Sequence, residues 1–242
     1  MNSKQEDRAV KIQDGRAEGV NIAYIGGGSR GWAWALMSDL ASEEKLSGEV
    51  RLYDIDHAAA RQNEVIGNRL SGYKDIKGDF RYKAVGTLKE ALDGADFVVI
   101  SILPGTFDEM ASDVHAPEQY GIYQSVGDTV GPGGIVRALR TLPMYIEFAE
   151  GIKKYCPNAW VINYTNPMSL CVWFLYTVFP EIKAFGCCHE LFATKELIAS
   201  FVAERLGYRK ITKCLIDRHG LVVRLAFTLL PNLQLKLSDI KY

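Results

Sequence analysis

The chain has 242 residues, 48% of them apolar and 24% charged, so it can bury about 70% of its unfolded surface and is neither disordered nor too small for a core. A formal net charge of −1 without a basic stripe argues against nucleic acid as a partner, because phosphates call for clustered Lys and Arg. No apolar run reaches the ~18 residues of a membrane span, and five cysteines without an apolar leader point to free thiols and a cytoplasmic location.

Residues 1–19 read as a polar leader, loose and mixed in charge. Asn21–Ile25 is an apolar run stopped by glycines, as a buried strand is. A helix follows from Gly31 to about Lys45, with Trp32, Leu36, Leu40 and Ala41 on one face. Val50–Tyr53 is a second strand ending at Asp54, and Ala58 to about Leu70 a second helix. Tyr82–Val85 reads as a strand and Leu88–Leu92 as a short helix. Asp96–Leu103, apolar on both faces, reads as a strand from the middle of a parallel sheet. Ala116–Gly134 is rich in Gly, Pro and Asp and reads as a long loop of the kind that carries function. Ile135–Tyr155 follows as a helix, with Pro143 a kink or a boundary. Trp160–Tyr164, Ser169–Phe179, Lys183–Gly186 and Ala193–Leu206 continue as strand, helix, strand and helix. The alternation predicts an α/β fold, Rossmann-like and doubly wound, with a mainly parallel sheet and helices on both faces.

Gly26-Gly27-Gly28-Ser29-Arg30-Gly31 fits G-x-G-x-x-G between the first strand and the first helix. The first glycine permits the tight turn, the second lets backbone approach a pyrophosphate, and the third lets helix and strand pack closely. The helix N-terminus adds free N–H groups and a positive dipole end. Gly26, Gly28, Ser29, Arg30 and Gly31 are therefore candidate cofactor-binding residues. Asp54, 23 residues beyond Gly31 at the end of the next strand, is placed to accept hydrogen bonds from an adenosine ribose. Its carboxylate favours NAD over NADP by repelling a 2′-phosphate, a preference that Arg30 weakens. The competing reading is a plain strand–helix turn with Asp54 as a helix cap.

Asn166, in Asn163-Tyr164-Thr165-Asn166-Pro167-Met168, follows a strand end, where ligands of open α/β sheets sit. An Asx turn or a helix cap before Pro167 accounts for it equally well. Cys188-His189-Glu190 also follows a strand, 22 residues after Asn166. A thiolate and an imidazole suit Mn, Fe, Co, Ni or Zn. Sequence neighbours rarely chelate one ion together, so a further ligand must come from elsewhere, with His219 and Asp217 as candidates. The alternative is a buried, packing cysteine and an ordinary polar histidine. Cys187 reads as packing. The Ser125–Gly134 loop followed by Arg137 and Arg140 can clamp an anionic group, or the two arginines line an exposed helix face. His57 and His115 read as surface residues.

The order of a GxGxxG strand–turn–helix, Asn163-Tyr164-Thr165-Asn166-Pro167 and Cys188-His189-Glu190 resembles glycoside hydrolase family 4, bacterial glycosidases that depend on NAD and a divalent metal. Ser125–Pro143, with Gly127-Asp128-Thr129-Val130-Gly131-Pro132-Gly133-Gly134, is similar to the branch containing α-galacturonidases. The likeness covers about residues 20–210. It implies oxidation at sugar C3, loss of the acidified C2 proton, elimination across C1–O, addition of water and re-reduction, unlike the two-carboxylate scheme of most glycosidases. It implies NAD on the glycine loop and Asp54, Mn2+ or another divalent transition metal on Cys188, His189 against metal or sugar, and Asn166 on sugar hydroxyls. Arg137 becomes the candidate partner of a uronate carboxylate, and an oligosaccharide or uronide the expected substrate.

Family members are much longer, and their tyrosine base lies in a part this chain lacks. Their second metal histidine belongs to a Gly-x-Asn-His-Phe stretch, where this chain reads Cys214-Leu215-Ile216-Asp217-Arg218-His219-Gly220. The resulting expectation is a polar leader at 1–19, an NAD-binding domain with the start of the catalytic region at 20–210, and a divergent or truncated tail at 211–242. The full-length protein is expected to be a cytoplasmic homo-oligomer. Alternatives are an α-galactosidase or α-glucosidase of the same family, a 2-hydroxy-acid dehydrogenase of related fold, and an NAD-binding module without turnover.

Overall fold

The structure is a computed structural model that describes residues 10–206. Strands β1 (Lys11–Gln13) and β2 (Arg16–Ile25) form a hairpin about Asp14-Gly15, whose φ values of 51° and 73° suit the tight turn that matches strand twist. These residues, expected within a loose leader, thus extend β2 well before Asn21. Val20 to Ile25 are all buried, which marks β2 as central.

On one side of β2 lie β3 (Leu46–Tyr53) and then β4 (Asp79–Ala84). On the other lie β5 (Phe97–Ile100), β6 (Trp160–Asn163) and β7 (Lys183–Gly186). Among the described residues these strands form one sheet, β4–β3–β2–β5–β6–β7, with β1 antiparallel on β2 and every other pairing parallel. The chain winds outward from β2 to β4, then returns to start again at β5. The carboxyl ends of β2 and β5 therefore flank the point where winding reverses, the place where such sheets bind ligands.

Helices cover both faces, as the alternation predicts. On one face Met37 and Leu40 of α1 (Trp32–Ser42) and Ala60 of α2 (His57–Leu70) pack with Tyr24, Val50, Leu52 and Tyr82. On the other, Leu92 of α3 (Leu88–Leu92), Tyr145, Phe148 and Ile152 of α5 (Gly131–Tyr155) and Leu175 of α6 (Met168–Val178) pack on Val98, Ile100 and Val161.

Three differences from expectation have local causes. Helix α4 (Phe107–His115) stands where no element is predicted, started by a capping box between Thr106 and Glu109. A short 3-10 turn, Ala116–Tyr120, takes up the start of the expected loop. Helix α5 begins at Gly131 rather than Ile135, with Pro132 in its first turn, where a missing N–H costs nothing. It runs through Pro143 without a boundary there and ends at Tyr155, the end expected for it. Tyr145, Ala149 and Ile152 beyond the proline are fully buried. Burial of the larger side chains, about 1.5–3 kcal/mol each, offsets the ~3 kcal/mol a helix-interior proline costs.

The chain divides into two compact units, Met1–Cys187 and Cys188–Tyr242. The sheet belongs to the first and α7 (Glu190–Leu206) to the second. The tail expected at 211–242 lies outside the described residues. No helix among the described residues is long and apolar enough to cross a membrane.

Candidate active site

The glycine loop leaves β2 at its carboxyl end and is held from three directions. Gly26 has φ +94°, and a Cβ there would lie 1.9 Å from the Ser101 carbonyl oxygen beyond β5, so only glycine fits. The N–H groups of Gly26 and Gly27 both donate to the Tyr53 carbonyl at the end of β3, each at 2.9 Å. The N–H of Gly28 donates to Asp54 Oδ2 at 2.8 Å, while Asp54 Oδ1 accepts from the N–H of Asp56 at 2.9 Å. Asp54 is therefore not the cap of α2. That role belongs to Asp56, whose Oδ1 accepts from the N–H groups of Ala58 and Ala59.

The third glycine differs from its expected role. A Cβ on Gly31 would meet nothing within 4 Å, whereas a Cβ on Gly27 would lie 2.7 Å from Leu52 Cβ and 2.8 Å from Leu52 Cα. The close approach of loop to sheet falls on Gly27, a variable position of the pattern. Helix α1 begins after Gly31, which has no side chain to cap it, and carries no acidic side chain in its first turn. Ser29 Oγ accepts from the N–H of Trp32 at 3.1 Å. The positive dipole end of this helix suits an anion, whereas the N–H groups of Gly26, Gly27 and Gly28 are taken by Tyr53 and Asp54.

One residue of this region escapes sequence reading. Asn63, in the middle of α2 and only 2% exposed, donates through Nδ2 to the carbonyls of Gly27 at 2.7 Å and Ser29 at 2.9 Å. Trp34 Nε1 donates to its Oδ1 at 2.7 Å. A mid-helix asparagine carries no positional signal in sequence.

The Asn163–Pro167 segment follows β6. Asn163, fully buried, donates to the Thr165 carbonyl at 3.0 Å and accepts from the Tyr145 hydroxyl. Thr165 Oγ1 accepts from the N–H of Ile102 at 2.9 Å, fastening the segment to the end of β5. The turn chemistry thus belongs to Asn163. The side chain of Asn166 neither caps α6 nor makes an Asx turn; its Nδ2 donates to Asp128 Oδ2 at 2.9 Å.

Arg137 lies beside it, donating from Nε to the Asn166 carbonyl at 3.2 Å with a guanidinium nitrogen 3.8 Å from Asp128. At 7% exposure it does not line an exposed helix face. Arg140 pairs through both terminal nitrogens with Asp113, at 2.9 and 2.8 Å, and so is engaged within the fold. Asp113 and Asp128 are the residues the sequence reading missed here. The Asp128 carboxylate brings Arg137 and Asn166 together.

Trp32, at the start of α1, lies against Tyr164 with ring centroids 5.5 Å apart. The glycine loop and the Asn166 segment therefore stand side by side above the carboxyl ends of β2, β5 and β6. Cys187 closes the first unit half-buried, its N–H on the Asn163 carbonyl at 2.9 Å, and burial raises its thiol above the ordinary range.

In the second unit Cys188 and His189 are exposed just before α7. Among the described residues no three His, Cys, Asp or Glu side chains form a group that could hold a metal. His219 and Asp217 lie outside the described residues. His57 and His115 are exposed, as expected.

A parallel sheet in this order, with a glycine-rich turn at the point of reversal, defines the Rossmann-type class of α/β proteins. The sequence profile of the family 4 glycosyl hydrolases matches residues 21–204, and the chain belongs to that family. An α-galacturonidase of Thermoanaerobacterium saccharolyticum is 60% identical over 233 residues, covering 96% of this chain and 50% of the relative. An α-glucosidase of Erwinia rhapontici is 34% identical over 174 residues, covering 71% of this chain and 38% of the relative. Among solved structures, a Bacillus subtilis protein named as a glucosidase superposes with a TM-score of 0.71 at 62% identity, over 78% of this chain and 43% of that one. A 6-phospho-β-glucosidase of Thermotoga maritima, solved with manganese, NAD+ and glucose-6-phosphate, gives 0.62 at 26% identity, over 76% and 43%. The chain spans about half the length of the curated relatives it matches.

Proposed function

We propose that this chain supplies the NAD-binding region, and the start of the catalytic region, of an NAD- and divalent-metal-dependent glycosidase that cleaves α-galacturonides or related α-uronides. The observation that carries the reading is the glycine loop, tied by Asp54 at the sheet's point of reversal, in a chain far closer to an α-galacturonidase than to an α-glucosidase. That difference in identity also ranks the α-galactosidase and α-glucosidase readings second.

The loop fits a dinucleotide. A side chain at Gly28 would strike Asp54 and Ala59, so only glycine lets the loop pass this close to both. Gly26, Gly28, Ser29, Arg30 and Gly31 hold the pyrophosphate, and Asp54 accepts from the ribose. When bound, NAD+ supplies redox chemistry at a sugar carbon, which acidifies the neighbouring C–H.

The remaining roles fall to the chain's own residues. Asn166 binds sugar hydroxyls with its Oδ1 and its remaining amide hydrogen, while Asp128 fixes the plane of the amide. Arg137 presents a cationic edge to the uronate carboxylate, supported by its place beside Asn166. Cys188 offers a thiolate to Mn2+ or another divalent transition metal, His189 lies next to metal or sugar, and His219 is a further candidate ligand.

Hydrolysis of α-galacturonides and α-hexosides is measured with and without NAD+ and Mn2+. Cleavage of the galacturonide that requires both supports the proposal, and cleavage unaffected by omitting NAD+ sinks it. NAD+ binding without turnover on any uronide or hexoside favours a binding module.

A further inference from the structure

An anion-binding turn must face the ligand with N–H groups, which directs carbonyl groups the other way. Such carbonyls, shielded from water, need donors within the protein. In this chain two of them, on Gly27 and Ser29, are met by the single carboxamide of Asn63. Its orientation is fixed by chemistry. The indole N–H of Trp34 can only donate, so Oδ1 must face Trp34 and Nδ2 must face the loop. Among neutral side chains only the carboxamides of Asn and Gln offer two donors and an acceptor in one plane, and Asn is the shorter of the two.

Asn63 belongs to α2 and Trp34 to α1, so this network ties the loop to both helices of that face of the sheet. Asp54 engages the loop by an N–H group, and Asn63 by its carbonyls. We infer that Asn63, oriented by Trp34, is the positioning residue that draws the Gly27 and Ser29 carbonyls away from the ligand and so turns the start of α1 toward the cofactor pyrophosphate. The inference rests on the loop being the NAD site.

The test measures Kd of the 242-residue chain and of N63D and W34F for NAD+, ADP and adenosine, by calorimetry and ligand-observed NMR. Asn63→Asp replaces both donors with acceptors facing carbonyls and is nearly isosteric. It should weaken NAD+ and ADP by about tenfold or more while leaving adenosine, which has no phosphate, within about twofold. Trp34→Phe keeps an aromatic ring, smaller and without the N–H, and so frees the amide to turn; it should show the same pattern at smaller amplitude. Should N63D not fold, W34F decides by the same criterion. Unchanged ADP affinity, or equal losses for ADP and adenosine, overturns the positioning role. A wild-type chain that binds adenosine but gains nothing from the phosphates of ADP or NAD+ overturns the reading of the loop and this inference with it.

Discussion

Asp54 shows how one side chain serves both fold and site. Its two oxygens take the N–H groups of Gly28 and Asp56, and the same carboxylate stands where a ribose edge is expected. Asp54→Ala should weaken NAD+ by about tenfold, narrow the preference for NAD+ over NADP+, and lower stability slightly, as titrations with both nucleotides and a thermal melt will read. A lower melting point with an unchanged nucleotide ratio would leave Asp54 a turn residue only. The thiols make a second residue-level prediction. Burial pushes Cys156 up to about 12 and Cys171 to about 11, while Cys188 is exposed. Because the thiolate is the nucleophile, mass mapping after brief alkylation near pH 8 should find Cys188 modified before Cys187, with Cys156 and Cys171 protected. Labelling of Cys171 ahead of Cys188 would contradict the packing of α6. Asp54 was legible because a fixed chain distance leads from the glycine turn to the next strand end. Asn63, Asp113 and Asp128 were not, because each finds its partners only after distant segments meet.

At the scale of elements, the glycine turn makes unequal demands on its glycines. Gly27→Ala drives a Cβ into Leu52, and overlap of that kind costs about 1–3 kcal/mol, several degrees of Tm. Gly31→Ala enters open space at φ −113° and should leave Tm unchanged or raise it. Equal melting points for the two variants would show that the loop does not lie against β3 as described. The pattern read from sequence assigns close packing to the third glycine, because spacing names the turn but not which backbone atom approaches it. Helix α4 carried its signal openly in Thr106 and Glu109. Helix α5 was legible as far as Tyr155, but not whether Pro143 bounds it, which only the burial of Tyr145 and Ile152 decides. Arg137 and Arg140 likewise share a helix but not a fate, for one turns inward to Asn166 and the other to Asp113.

For the whole molecule, the two helical layers bury phenols that must stay neutral. Burial raises Tyr24 and Tyr82 from 10.0 to about 12. The folded state thus binds these protons more tightly than the unfolded chain. The associated stability is fully present below pH 10 and is lost as pH rises through about 12. Denaturant melts across that window, followed by phenolate absorbance, should show unfolding coupled to ionisation. Free ionisation of all tyrosines at pH 10 with the fold intact would contradict the core. The parallel sheet and both layers were legible in the alternation of elements, because parallel strands need crossover helices, whereas the strand order was not, since alternation leaves it open. The division of the chain after Cys187 was not, since it depends on contacts rather than composition. The most direct measurement is a calorimetric titration of the 242-residue chain with NAD+ and with NADP+. The expected result is saturable binding of one NAD+ per chain, about tenfold or more tighter than NADP+ because of Asp54. No binding of NAD+, or NADP+ bound as tightly, would contradict it.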